Sequence, residues 1–210
     1  GQVKSLNFPQ ADLGNFRMSW YPRKDSMYLI TIGEPFNFYT KSAQLVGNVN
    51  LTQAGVYGSG SFFTRGSVTE SKKMTFEEKS FEARNSTFQI LSDQVDKPAM
   101  VGEDMHTKFD LEKNIVAINV EHKRDAEFTF PYAAMKTSIV NATWFLEDSL
   151  VTMKKPDNVE LIDSYFYSTR QDLDSLAFNG TNAIYDIKTS ELRVQGIPHI
   201  LVADAKIIPA

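Results

Sequence analysis

The chain has 210 residues, enough for one large all-β domain or two small ones. Its net charge of −4 and pI near 5.4 argue against nucleic-acid or anionic-lipid binding through a broad electropositive surface, and no nucleic-acid partner is expected. Cysteine is absent, which excludes disulfides and thiolate metal sites, and no apolar run is long enough for a transmembrane helix.

Gly1-Gln2-Val3-Lys4 stands where an initiator methionine would be, and reads as a trimmed start from which a leader has been removed. Beyond it, period-two alternation is broken regularly by turn residues, the pattern of an all-β fold. Fifteen Phe residues favour pleated, half-buried surfaces. Residues 16–21, 22–26 and 27–32 read as strand, turn and strand. Gly33-Glu34-Pro35 ends that unit, and 36–39 is a short strand. Residues 43–51 alternate around Gly47. Gly55, Gly58, Gly60 and Gly66 follow around Val56-Tyr57 and Phe62-Phe63. Glycine inside a strand marks a bulge, a tight corner or a close backbone approach. Strands continue over 74–76 and 81–91, with Ala83, Phe88 and Ile90 as anchors. Residues 92–104 are polar, contain Pro98 and are expected to form a loop.

One pattern then recurs. Thr107-Lys108-Phe109-Asp110-Leu111 precedes the turn Glu112-Lys113-Asn114 and the apolar run 115–118. Ala142-Thr143-Trp144-Phe145-Leu146 precedes Glu147-Asp148-Ser149 and 150–153. Ala183-Ile184-Tyr185-Asp186-Ile187 precedes Lys188-Thr189-Ser190 and 191–196. A small residue, an aromatic two places on, an aliphatic two further, a turn and a second apolar run spell a β-hairpin. Between the hairpins, 128–131 and 138–140 extend the strand pattern. Lys154-Lys155-Pro156-Asp157-Asn158 is the strongest internal break, dividing the chain into 1–155 and 156–210, and Asp157 is placed to cap one helical turn through Leu161. Residues 165–167 and 176–178 read as strands, Asn179-Gly180 as a hairpin turn. The stretch 200–208 reads as an intact strand stopping abruptly at Pro209-Ala210, as in a fragment of a longer chain. The expected fold is all-β, an elongated antiparallel stack of hairpins of β-jelly-roll or solenoid-like architecture.

Four segments, Ala43-Gln44-Leu45-Val46-Gly47-Asn48-Val49, Phe81-Glu82-Ala83-Arg84, Ala183-Ile184-Tyr185 and Val202-Ala203-Asp204-Ala205-Lys206-Ile207, carry a Gly-Asn-Val to Ala-Asp-Ala rhythm. In this the chain resembles, in scattered pieces, the OstA-like family of periplasmic lipopolysaccharide-transport proteins. The resemblance implies an open, V-shaped stack of antiparallel strands whose apolar interior holds acyl chains. It further implies lipid or lipopolysaccharide as ligand, edge-to-edge protein partners, and a place in the periplasm or at the outer membrane.

Catalytic and metal motifs are sparse. His106, His122 and His199 lie far apart with charged or loop-like neighbours, so surface or strand-edge histidine is the favoured reading. Asp163, Asp172 and Asp174 lack the further acidic residues and the central glycine of an EF-hand calcium loop and read as a solvated loop. Asp93, Asp96, Glu103 and Asp104 read as a solvated acidic region, and the mixed-sign run 121–127 as a solvated turn. No nucleophile elbow is present, and the glycines between 55 and 66 do not precede a helix. We therefore expect no enzyme activity, no cofactor and no metal. The hairpin anchors Phe109, Leu111, Trp144, Leu146, Tyr185 and Ile187 share one face by strand alternation and are the candidate ligand-binding residues, with Phe145 and Val151 assigned to the other face. An alternative is a glycan-binding or adhesion module of a surface protein, with Trp20, Tyr21 or Trp144 as stacking platforms.

Overall fold

The computed structural model describes residues 8–93, 97–122, 126–173, 176–202 and 205–209. Twenty strands and three short 3-10 turns are formed, with no α-helix among the described residues. The chain opens with β1 (Ala11–Asp12), β2 (Phe16–Tyr21), β3 (Ser26–Thr31) and β4 (Phe36–Phe38). Five long strands follow: β5 (Ala43–Thr52), β6 (Gly55–Thr64), β7 (Ser67–Phe76), β8 (Ser80–Ile90) and β9 (Met100–Asp110). Then come β10 (Ile115–Val120), β11 (Phe128–Phe130), β12 (Met135–Thr137), β13 (Asn141–Phe145) and β14 (Leu150–Lys154). The last are β15 (Tyr165–Ser168), β16 (Ala177–Asn179), β17 (Asn182–Asp186), β18 (Glu191–Gln195), β19 (Ile200–Val202) and β20 (Ala205–Ile207). The first eighteen make one antiparallel sheet, and among the described residues β19 pairs with β20 alone.

The five long strands bend in the middle, and the bend turns one sheet into two facing layers. On β8, Phe81 and Ala83 are buried, Arg84 and Asn85 are both exposed, and Ser86, Phe88 and Ile90 are buried, so the inward phase slips by one residue. The same slip occurs on β7 at Lys72-Lys73 and on β9 at Glu103-Asp104. Asn85 and Asp104 take positive φ of 48° and 56°. On β5 and β6 the bend is made without an extra residue, by the paired glycines Gly47 and Gly60 with φ of 153° and 129°. A Cβ on Gly60 would lie 2.2 Å from the Val46 carbonyl oxygen, so only glycine lets these backbones approach.

On one side of the bend, β4, β11, β12, β15 and β16 extend layer one; β1 joins β4 there. On the other side, β2, β3, β10, β13, β14, β17 and β18 extend layer two. Register aligns one inward row across layer two: Trp20, Met27, Leu51, Val56, Phe76, Phe81, Phe109, Val116, Trp144, Val151, Tyr185 and Leu192. A second row, nearer the bend, carries Ala83, Thr107, Ala142 and Ala183. In that row the small residues alternate with the larger Met74, Ile118 and Met153, so the small first residue of each hairpin faces a bulky neighbour on the next strand. Rings close the gap between layers: Phe38 stacks on Phe76 at 4.7 Å, Phe88 lies 6.0 Å from Phe109, and Phe130 lies 4.7 Å from Tyr185. Each such pair contributes about 0.5–1.5 kcal/mol beyond area burial.

Four local expectations are corrected. Residues 92–104 are not all loop: β9 begins at Met100, and Ala99 and Met100 are fully buried. Asn179-Gly180 is not a hairpin turn, because β16 pairs with β15 while β17 pairs with β14 and β18. The segment instead crosses between layers, and the Asn179 amide donates to the carbonyls of Leu161, Ile162 and Ser164. The helical turn expected from Asp157 is a 3-10 turn at Leu161–Asp163 with no side-chain cap. The stretch 200–208 is folded back, with Ile200 opposite Ile207; Ala203 and Asp204 lie outside the described residues. Across the break at 156 the sheet is continuous in pairing, since Lys154 lies opposite Asn182 and Thr137 opposite Phe166.

Candidate ligand groove

The free ends of the two layers form two lips, and a groove of about 1140 Å3 runs between them. Phe81 and Ile90 both line it, from opposite ends of β8. Fully extended, the ten residues from Phe81 to Ile90 would span about 30 Å; the bend brings both ends to one cavity. The layer-two lip is a ladder of stacked turns. The Leu111 N–H donates to Lys79 O at 3.0 Å, Leu146 N–H to Asn114 O at 3.1 Å and Ile187 N–H to Ser149 O at 3.0 Å. Each hairpin turn ends on a left-handed residue, Asn114, Ser149 or Ser190, with φ of 53°, 59° and 57°. The Asp110 carboxylate accepts from the N–H groups of Glu112 and Lys113, and Asp186 does the same for Lys188 and Thr189. The Lys113 ammonium beside it holds the Asp110 carboxyl below its ordinary range. These recurring polar residues shape the turns that place the apolar anchors on the groove wall.

Tyr39 ties the lips at one end: its hydroxyl donates to Ser80 O at 2.8 Å. Burial first, then the nearby Glu77 carboxylate, push its pKa far above the ordinary tyrosine value. Along the rim, Lys79 pairs with Glu112, and the Asn114 amide donates to Glu147 at 2.9 Å. Such exposed pairs are screened by solvent and add little to stability.

Five of the six sequence anchors meet in this groove: Phe109, Leu111, Trp144, Leu146 and Ile187. Phe109 and Trp144 are buried in its floor, while Leu111, Leu146 and Ile187 are half-buried in the turn ladder. Tyr185 does not line it; it is fully buried against Phe130. Trp144 also packs on the β6–β7 turn, where a Cβ at Gly66 would lie 3.0 Å from its ring, and its indole N–H has no acceptor among the described residues. This burial removes Trp144 as a glycan platform, whereas Trp20 and Tyr21 are exposed on edge strand β2. Val151 faces inward, not onto the outer face expected from its sequence. It lies directly opposite Trp144, residues opposed in an antiparallel pair share a face, and Val151 is fully buried; Phe145 does point outward. Tyr39, Phe81 and Leu91 add to the wall beyond the candidate residues, and so does Ile90, which the sequence marks as a strand anchor but not as part of a site. The available signal was the phase slip at Arg84-Asn85, which sends both arms of β8 inward.

The histidines stand apart from the groove. His106 Nε2 lies 2.9 Å from Glu82 on the outer face, and His122 Nδ1 contacts the Asn85 amide at 3.0 Å. No group of metal-ligating side chains is found among the described residues, Asp172 is paired with Arg170, and Asp174 lies outside them. Asp96 and residues 123–125 of the charged run also lie outside the described residues. Comparison with protein-family models, curated proteins and solved structures returns no match to this chain.

Proposed function

We propose that this chain is a non-catalytic lipid-carrying module of the cell envelope, in which the groove shields an acyl chain and the open edge strands join further modules. The observation that carries the reading is a groove of about 1140 Å3 between the lips, in which Phe81, Ile90, Phe109, Leu111, Trp144, Leu146 and Ile187 form an apolar surface bordered by polar and charged groups that include Arg65, Glu78, Lys79, Glu112 and Glu147. A concave apolar surface with polar groups at its border suits an amphipathic ligand, an acyl chain bearing a polar head. Each buried methylene contributes about 0.8 kcal/mol, so a chain gains affinity without a charged partner. The resemblance to the OstA-like proteins points the same way and makes lipopolysaccharide one ligand to test. Native mass spectrometry of the purified protein is expected to retain an acyl-chain adduct. A dodecyl-chain probe is expected to bind saturably with a change in tryptophan fluorescence, and Leu146→Glu to weaken it at least about tenfold, or 1.4 kcal/mol. No adduct and no saturable alkyl binding would overturn the carrier reading.

The edges support the second half of the proposal. Phe16, Met18 and Trp20 lie on the inner face of β2 and are exposed, Trp20 by 63%. The Ile32 N–H bonds to Asn15 O, which by alternation leaves the N–H and C=O of Phe16, Met18 and Trp20 directed away from β3. The Ile187–Ser149 bond likewise leaves those of Leu192 and Val194 directed away from β17. Layer two contains twelve strands, an even number, so β18 of one copy meets β2 of another antiparallel. Leu192 then falls opposite Trp20 and Val194 opposite Met18, and both inward rows continue. Unprotected edges of this kind are templates for strand addition. Sedimentation velocity is expected to show concentration-dependent growth, abolished by Val194→Pro. That change deletes an outward N–H without breaking the β17 pairing. A monomer at every concentration argues against self-addition.

A further inference from the structure

We propose that the outer side of the bend is a second binding site, for an acidic saccharide. A cleft of about 610 Å3 crosses the bend there, away from the groove: β8 lines the groove with Phe81 and Ile90 but the cleft with Arg84 and Asn85. The β7 bulge builds its charge. Gly58 lies opposite Met74 and Gly60 opposite Ser71, so Lys72 and Lys73 together oppose Ser59, and both are exposed. In an unbroken strand one of the two would point inward. The Ser71 hydroxyl holds the bulge, accepting from the Lys73 N–H at 2.9 Å and donating to Arg84 O at 2.5 Å.

Three cations, Lys72, Lys73 and Arg84, therefore line one cleft in which Glu70 is the single carboxylate among the described residues, in a protein of net charge −4. Lys73 lies directly across the ladder from Arg84, an arrangement of like charges that destabilises a sheet. Arg84 is compensated by Glu82 at 2.8 Å and Glu121 at 3.1 Å, whereas Lys72 and Lys73 make no ion pair among the described residues. An anionic ligand would relieve that repulsion. The remaining lining identifies its class. Ser59, Ser61, Asn48 and Asn85 line it with hydroxyls and amides that bond one another or their neighbours and keep acceptor oxygens for sugar hydroxyls, and no apolar side chain among the described residues lines the cleft to anchor a peptide or an alkyl chain. A saccharide bearing a sulfate, phosphate or carboxylate matches both features.

The test is calorimetric titration at low salt with a sulfated dextran oligomer, a neutral dextran of equal length and polyglutamate. The sulfated oligomer is expected to bind, and the neutral one not to bind. The doubly substituted Lys72→Gln, Lys73→Gln protein should lose about tenfold in affinity, with a thermal midpoint unchanged or raised because a like-charge contact is relieved. Leu146→Glu, in the groove, should leave this binding unaltered, which separates the site from the lipid reading. Equal binding by the lysine double variant, or polyglutamate binding as tightly as the sulfated oligomer, would overturn the proposal.

Discussion

Replacing Gly60 by alanine is expected to destabilise the protein by about 3 kcal/mol or more, because the new methyl meets backbone that no side-chain rotation can move. The Cβ would lie 2.2 Å from Val46 O and 2.9 Å from Gly47 Cα, at a φ of 129° that L-residues rarely adopt. Relief requires β5 and β6 to separate at the bend, and the bend is what closes layer one onto layer two. The loss should therefore spread through the ring contacts between layers rather than stay local. Urea unfolding followed by tryptophan fluorescence measures it. The control is Gly14→Ala, whose Cβ approaches only the flexible Glu34 carboxylate, at 3.4 Å; it should fall within about 0.5 kcal/mol of the parent. A Gly60→Ala protein as stable as that control would show that the bend does not depend on the glycine pair.

Phe62→Ala is expected to cost about 3–5 kcal/mol, the range for emptying a sealed aromatic site. Phe62 is fully buried on layer one and meets Phe38 at 5.9 Å in its own layer. From layer two, Phe76 approaches to 5.3 Å and Phe81 to 4.4 Å. Truncation removes one ring from a cluster that spans both layers, and the bent backbone beside it limits collapse into the void. Phe62→Leu, which retains most of the volume, should cost about 1.5 kcal/mol or less. Equilibrium denaturation of the three proteins checks the order. If Phe62→Ala costs no more than Phe62→Leu, the layers are not cemented at this cluster.

The carrier reading and the outer cleft share one structural origin. The bend that brings Phe81 and Ile90 to a common groove also forces Arg84 and Asn85 outward together, and on β7 it does the same to Lys72 and Lys73. Groove and cleft are the inside and outside of a single fold line. Substitutions on the line therefore act on both, whereas Leu146 and Lys72 act on one each.

Legibility from sequence followed the range of the forces involved. The three late hairpins were readable because alternation and turn chemistry act over a few residues: Asp110 with Glu112 and Lys113, Asp186 with Lys188 and Thr189. Their shared face placed Phe109, Leu111, Trp144, Leu146 and Ile187 together, and the fold lines all five along the groove. Tyr185 departs because layer one, through Phe130, closes over that end of the row. Asn179-Gly180 misled for a related reason. A local turn signal names a turn, while the strands it connects are chosen by what each can pair with across the sheet.

By itself, the sequence determined the strand identity of the late hairpins, their turns and the inward face of their anchors, since these depend on side-chain period and on hydrogen bonds within a few residues. Only the tertiary structure decided that five long strands fold over one line, that Phe81 and Ile90 meet across it, and that two lysines are left side by side outside it. That outcome depends on backbones approaching at Gly47 and Gly60 and on rings from distant strands meeting between layers, contacts that exist only once the whole sheet has assembled.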